Sequence, residues 1–193
     1  LEEAGWVRDT VSETLRNPSN ETFSFSLLVA DDPTDVALGE AIAEQWGQLG
    51  VEVEVEAVPP LARNAALDAR VYQTALAHFA VPGDPDPYTF WHQTQAELGG
   101  QNYAGFNHRR LSEVVEQARI TVDREERREL YQEFQEIIME EVPSLPLYVP
   151  IYTYGVDAQV QEVQMGPLMR SGDRFRNIAD WFVLQRRVIV SEQ

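Results

Sequence analysis

The chain has 193 residues, 44% of them hydrophobic, and 32 acidic against 15 basic side chains give a formal net charge of −17. That length suits one domain or one large lobe, and the charge disfavours nucleic acid and anionic membrane surfaces as partners. The absence of cysteine excludes disulfides, zinc–thiolate centres and cysteine nucleophiles together. No apolar run approaches the ~20 residues of a membrane span. The chain opens on LEEAGW without an initiator methionine. The expectation is an excised piece or mature fragment, with any signal segment outside this chain.

In chain order, LEEAGWV reads as a helix tail stopped at Gly5. Residues 8–22, polar and turn-rich, read as a loop. Phe23–Ala30 alternates and then turns wholly apolar, the pattern of a strand entering a core. Asp32 and Pro33 supply an N-cap and a first helical position. Leu38, Ile42, Trp46 and Leu49 follow at helical spacing, with Gly50 as the stop. VEVEVEAV places Val51, Val53 and Val55 on a buried strand face and Glu52, Glu54 and Glu56 on a wet one. Residues 61–69 read as a short helix and residues 71–81 as a third strand. The order β-α-β-α-β predicts an α/β domain with a mixed, mostly parallel sheet flanked by helices.

Two helices follow. Asn107 is the expected cap of the first, whose Leu111, Val114, Val115 and Ala118 share one face. Asp123 and Glu126 open the second in a capping-box pattern, and Leu130, Phe134, Ile137 and Ile138 trace its apolar edge. VPSLPLYVPIYTYGV reads as an extended connector broken by prolines, MGPLMRSGDRFRN as a loop, and IADWFVLQRRVIV as a final strand.

The stretch AVPGDPDPYTFWHQTQ, residues 80–95, sets a proline-locked acidic turn directly before Tyr88, Phe90, Trp91 and His92. It falls at the carboxyl end of the third strand, where ligands of α/β sheets gather. Aromatic side chains here and at Tyr103 and Phe106 suit a ligand platform equally with a satellite core under a long loop. Recognisable catalytic motifs are missing: there is no GxSxG, no phosphate-binding GxxxxGK[ST] and no HExxH. His78, His92 and His108 lack ligand spacing and read as surface or loop residues. Asp84 and Asp86 invite a carboxylate hydrolase, but lie two residues apart in one turn, where capping accounts for them.

The ordered set of segments LEEAGW, FSLLVADDPTDVALGEAIAEQWGQLGVEVEVEAV, YQTALAHFAVPGDPDPYTFW and NYAGFNHRRLSEVVEQARITVDREERRELYQEFQEIIMEEVPSLPLYVP resembles the C-terminal half of the family 5 extracellular solute-binding proteins. These are the peptide, nickel and oligosaccharide receptors of ABC importers. The resemblance implies a periplasmic-binding-protein-like lobe without catalysis or cofactor. It further implies an extracytoplasmic receptor, free in a periplasm or lipid-anchored, that closes two lobes around a small solute and serves ABC importer membrane subunits. On this view residues 1–22 are a leading helix end and loop, 23–165 the ligand-binding lobe, and 166–193 a return segment toward an N-terminal lobe outside this chain. Phe79 stands where the family commonly has a ligand-contacting tryptophan. Val81 or Pro82 fills the place of an aspartate that pairs with a peptide's amino terminus, and Leu76 that of an arginine in one oligopeptide-binding branch. An ammonium buried without a carboxylate is costly, so these departures point to an oligosaccharide-like solute or a less charged peptide. The expected ligand-binding residues are Phe79, Asp84, Tyr88, Trp91, Asn102, Tyr103 and Phe106, with no metal site and no nucleic-acid partner. Two alternatives are a hydrolase using Asp84 or Asp86 and a regulatory or chaperone-like module with an exposed half-cleft.

Overall fold

A computed structural model describes residues 1–81, 85–151, 153–166, 168 and 170–184. The chain divides into two compact units, one of residues 1–81 and 86–144, the other of residues 82–85 and 145–193.

The first unit is built on a three-stranded parallel sheet. Its strands are β3 (Ser24–Ala30), β4 (Glu52–Val58) and β5 (Thr74–Ala75), in the order β4-β3-β5. Leu27 of β3 lies opposite Val55 and Thr74. The mixed α/β architecture with a parallel sheet is therefore as the sequence predicts. Helix α1 (Pro33–Gln48) connects β3 to β4, and α2 (Pro60–Ala69) connects β4 to β5. Asp32 caps α1, accepting the amides of Thr34 and Asp35 at 3.0 and 3.1 Å, and Pro33 takes the first turn, where no amide is needed.

Leu27, Val29 and Leu76 form the buried core, with Val36, Leu38, Ile42, Val53 and Val55 packed against it. Gly39 lets α1 close on the sheet, because a Cβ there would sit 3.1 Å from both Val29 Cγ1 and Val55 Cγ1. Glu52, Glu54 and Glu56 are exposed as the alternation requires. With Ser24, Ser26 and Gln73 they line a broad open groove of about 590 Å³.

The third strand is much shorter than the expected residues 71–81. Two side chains replace the backbone ladder at its start: Gln73 Oε1 accepts the Ser26 amide at 2.6 Å, and the Thr74 hydroxyl donates to the Ser26 carbonyl at 2.7 Å. Only Thr74 and Ala75 pair as strand, with one further bond from the Leu76 amide to the Leu28 carbonyl. Residues 8–22 are also more ordered than a loop. Asp9 accepts the amides of Val11 and Ser12, reversing the chain so that β1 (Val7–Arg8) pairs antiparallel with β2 (Leu15–Arg16). Those two amides, Ser12's first, hold the Asp9 carboxyl below its usual range. At the start of the chain the helical turn Glu2–Ala4 ends as expected on Gly5, at φ 83°. Leu49 leaves the apolar stripe of α1 and is exposed.

A short helix, α3 (Tyr88–Trp91), precedes a 3-10 turn at Gln93–Ala96. Helices α4 (Arg109–Ile120) and α5 (Arg124–Glu141) then pack together. Leu111, Val114, Val115 and Ala118 of α4 are fully buried, as their spacing predicts. The cap of α4 is His108 rather than Asn107: its Nδ1 accepts the Leu111 amide at 3.1 Å. Asp123 caps α5 through the amides of Glu125 and Glu126. Arg110 of α4 clips Glu133 of α5, donating from its terminal nitrogen at 2.7 Å.

In the second unit, residues 145–151 run without regular structure, as the prolines predict. Strand β6 (Val160–Gln161) pairs antiparallel with β7 (Phe182–Val183). The expected final strand over IADWFVLQRRVIV is thus confined among the described residues to these two positions of β7; residues 178–180 form a 3-10 turn instead. The expected loop before it contains another, Ser171–Phe175. Asn177 ties this unit together, donating to the Glu162 carbonyl and accepting from the Trp181 indole at 2.9 Å. Among the described residues no helix is long and apolar enough to cross a membrane.

Candidate functional site

The strand order reverses about β3: the chain passes first to β4 on one side and then to β5 on the other. In open parallel sheets such a reversal leaves a crevice beyond the carboxyl ends of the strands. Here three segments converge there: the first turn of α1, the first turn of α2 and the extended chain after β5.

Asp35, in the first turn of α1, is 2% exposed. His78, after β5, places Nε2 at 2.9 and 3.0 Å from the two carboxylate oxygens of Asp35. Arg63, in the first turn of α2, lies 3.4 Å from the same carboxylate. A carboxylate this buried needs such partners, since desolvation of an unpaired charge costs several kcal/mol, of order. The side chain of His78 is 53% exposed although its partner is buried.

Phe79 follows directly and is partly exposed. Its ring meets Phe90 edge-on, with centroids 4.7 Å apart, and lies roughly parallel to Tyr103 at 6.3 Å. Edge-on and offset geometries are those that ring quadrupoles favour. Arg70, just past α2 at φ 57°, organises this wall. Its guanidinium donates to the carbonyls of Gln95, Glu97 and Gly100 and lies 5.0 Å from the Tyr103 ring centre. Tyr72 donates to the Tyr103 carbonyl. Burial raises the proton affinity of the Tyr103 hydroxyl above the usual tyrosine range, and the negative charge of Asp68 adds to this while Arg70 opposes it.

A second cluster lies against α4. The Tyr88 ring is stacked on His92 at 4.2 Å and also lies 4.3 Å from the Arg119 guanidinium. Asp86 accepts the Tyr88 amide at 3.1 Å and pairs with Arg119 at 3.0 Å. His92 is buried, not a surface residue as its sequence context suggests; its ring nitrogens meet Thr94 and Glu116 at 2.8 and 3.0 Å. Trp91 is half-buried in α3. Asn102, fully buried, spends its amide on backbone: it donates to the Phe106 carbonyl at 2.8 Å and the His92 carbonyl at 3.3 Å, and accepts the Phe106 amide at 3.1 Å. Phe106 stacks on His108 at 5.7 Å.

Of the sequence-predicted residues, the fold brings Phe79 and Tyr103 together at the sheet's carboxyl end. It sets Tyr88 against α4, with Asn102 and Phe106 forming the turn before that helix. Asp84 lies outside the described residues. Sequence reasoning missed Asp35, Arg63 and His78. One signal was available: Asp35 stands on the same helical stripe as Leu38, Gly39, Ile42 and Trp46, and a carboxylate on a buried stripe demands a cationic or donor partner. Among the described residues no group of three His, Asp or Glu side chains is disposed to hold a metal ion.

No family model matches the chain. Among curated proteins it is 28% identical over 163 residues to the oligopeptide-binding protein AppA of Bacillus subtilis, covering 78% of this chain and 28% of that protein. It is 26% identical over 136 residues to the oligopeptide-binding protein OppA of the same organism, covering 69% and 25%. The chain therefore spans roughly a quarter of the length of the curated relatives it matches. Among solved structures, B. subtilis AppA in complex with a nonapeptide superposes with a TM-score of 0.74 at 20% identity, over 95% of this chain and 36% of that one. NikZ of Campylobacter jejuni in complex with Ni(L-His) does so at 0.71 and 19%, over 93% and 37%. The periplasmic-binding-protein-like fold class follows from these superpositions, and the resemblance of this chain to the family 5 solute-binding proteins holds, over part of their length.

Proposed function

We propose that this chain is the C-terminal, ligand-contacting part of an extracytoplasmic solute receptor that captures a peptide or an oligosaccharide-like solute and delivers it to the membrane subunits of an ABC importer. The observation that carries the reading is the partly exposed Phe79 wall at the carboxyl end of a parallel sheet, in a chain whose curated relatives are oligopeptide-binding proteins. Aromatic faces give apolar area and ring stacking at little entropic cost. The solute lies between this wall and an N-terminal lobe outside the chain, and residues 166–193 lead back toward that lobe. Closure of two lobes on a hinge supplies the grip, so this chain alone binds weakly or not at all.

No catalysis is part of this role: the relatives are binding proteins by name. The hydrolase alternative loses support at Asp86, whose oxygens are engaged by the Tyr88 amide and Arg119. Native mass spectrometry of the full-length protein beside residues 1–193 tests the reading. A small bound mass on the full-length protein and none on the shorter chain is expected, with residue-mass ladders for a peptide or hexose increments for a sugar. A ligand held equally by both contradicts the shared cleft.

A further inference from the structure

We propose that His78, set in place by buried Asp35, is the polar recognition group beside the Phe79 wall, and that it takes an uncharged hydrogen-bond donor of the solute, a hydroxyl or an amide N–H. The inference rests on the solute-receptor reading above and adds to it a residue and a ligand chemistry.

A carboxylate only accepts hydrogen bonds. With both oxygens of Asp35 within 3.0 Å of His78 Nε2, that nitrogen carries the proton, and the bond fixes the tautomer and the ring's orientation. Nδ1 is the atom left over, and no described group bonds it. In the neutral ring it is an acceptor. Arg63 balances the Asp35 charge from within the fold, its own side chain being 12% exposed. With the His78 ring in its neutral form, the triad of Asp35, Arg63 and His78 has no net charge to offer a solute carboxylate or phosphate, and the chain's net charge of −17 repels anions at long range. What remains is a fixed acceptor next to an aromatic face: an apolar body with a neutral donor at its edge fits both.

The contrast with His92 sharpens the assignment. That ring is also held near a carboxylate, but it is buried and both of its nitrogens have partners. His78 is half exposed, and among the described residues one of its nitrogens is unspent.

The test uses the full-length protein and two probes, a nonapeptide pool with uncharged side chains and cellopentaose, titrated by calorimetry. His78→Phe keeps a ring and removes the acceptor. It is expected to weaken whichever probe the wild type binds by about threefold to tenfold, the scale of one hydrogen bond, while the unfolding midpoint falls because buried Asp35 loses a partner, so affinity is read well below that midpoint. In selectively 15N-histidine-labelled protein the Nδ1 resonance of His78 should shift on adding that probe, which a merely structural role would not produce. Asp35→Asn should weaken binding as well, and His78→Phe decides the matter if that variant fails to fold. Unchanged affinity in His78→Phe, or a stationary Nδ1 resonance, overturns the inference and leaves the receptor reading standing. Preference for an all-Glu nonapeptide over both probes overturns the ligand class. Failure of the wild type to bind any probe overturns the receptor reading and this inference with it.

Discussion

The two aromatic clusters of the first unit use the same residue types to opposite ends. Against α4, Tyr88, His92, Asp86 and Arg119 engage one another, and His92 also meets Thr94 and Glu116: the Tyr88 ring, both His92 nitrogens and both Asp86 oxygens have protein partners. At the carboxyl end of the sheet, Asp35 is buried and fully engaged, yet the side chains it supports, His78 and then Phe79, stay partly exposed. An aromatic–histidine–carboxylate cluster is therefore not a site by composition. What separates a clasp from a binding surface is which atoms remain unspent once the fold is made.

The comparison can be broken by substitutions, starting with the largest expected effect. Asp35→Ala strands Arg63 and His78 against a buried void and should destabilise the protein by about 3 kcal/mol in urea unfolding. The same change at Asp86, whose pair with Arg119 is partly exposed on both sides, should cost less than about 1 kcal/mol. Equal costs would mean that the two carboxylates are not buried differently. Asn102→Ala orphans the backbone groups of Phe106 and His92 and should cost about 2 kcal/mol. Gly39→Leu pushes α1 off Val29 and Val55 and should cost roughly 1–3 kcal/mol by overpacking; a neutral result would show that α1 does not close on the sheet as described.

The smallest expected effect lies outside both clusters, at the clip between α4 and α5. Arg110's hydrogen bonds hold the Glu133 carboxyl below its usual range. A carboxyl lowered by folding stabilises the native state fully above its unfolded value, and that contribution is lost as pH falls through its lower folded value. Glu133→Gln should therefore flatten the pH dependence of the unfolding midpoint only on the acid side, below the ordinary carboxylate value near ~4.3. The stability change at neutral pH should be a few tenths of a kcal/mol, about that of an exposed pair. A change confined to neutral or basic pH would contradict the pairing.

Much of the fold was legible because it follows periodicity and caps. The alternation VEVEVE, the Asp32–Pro33 start and the i, i+3, i+4, i+7 stripe of Leu111, Val114, Val115 and Ala118 are each local patterns that burial then enforces. The errors arose where side chains stand in for backbone. Gln73 and Thr74 bond to Ser26 and shorten the third strand, His108 displaces Asn107 as a cap, and Asp9 folds an apparent loop into paired strands. Of the rings at the candidate site, Phe90 and Tyr103 stood out by ring density after a strand, whereas Phe79 came only from the family resemblance. The polar half of the site was not readable, because Asp35, Arg63 and His78 are 28 and 43 residues apart in their pairings and meet only once two crossovers have been made.

The central claim is that the carboxyl-end cluster, and not the cluster on α4, faces the solute. The most direct measurement is calorimetric titration of the solute found on the full-length protein into Phe79→Ala and Tyr88→Leu side by side, each with its unfolding midpoint. The account predicts weakened binding by about tenfold with little loss of stability for Phe79→Ala, since stacked rings are worth ~1 kcal/mol beyond area. For Tyr88→Leu it predicts lowered stability with affinity retained. The reverse pattern, affinity lost at Tyr88 and kept at Phe79, would contradict it.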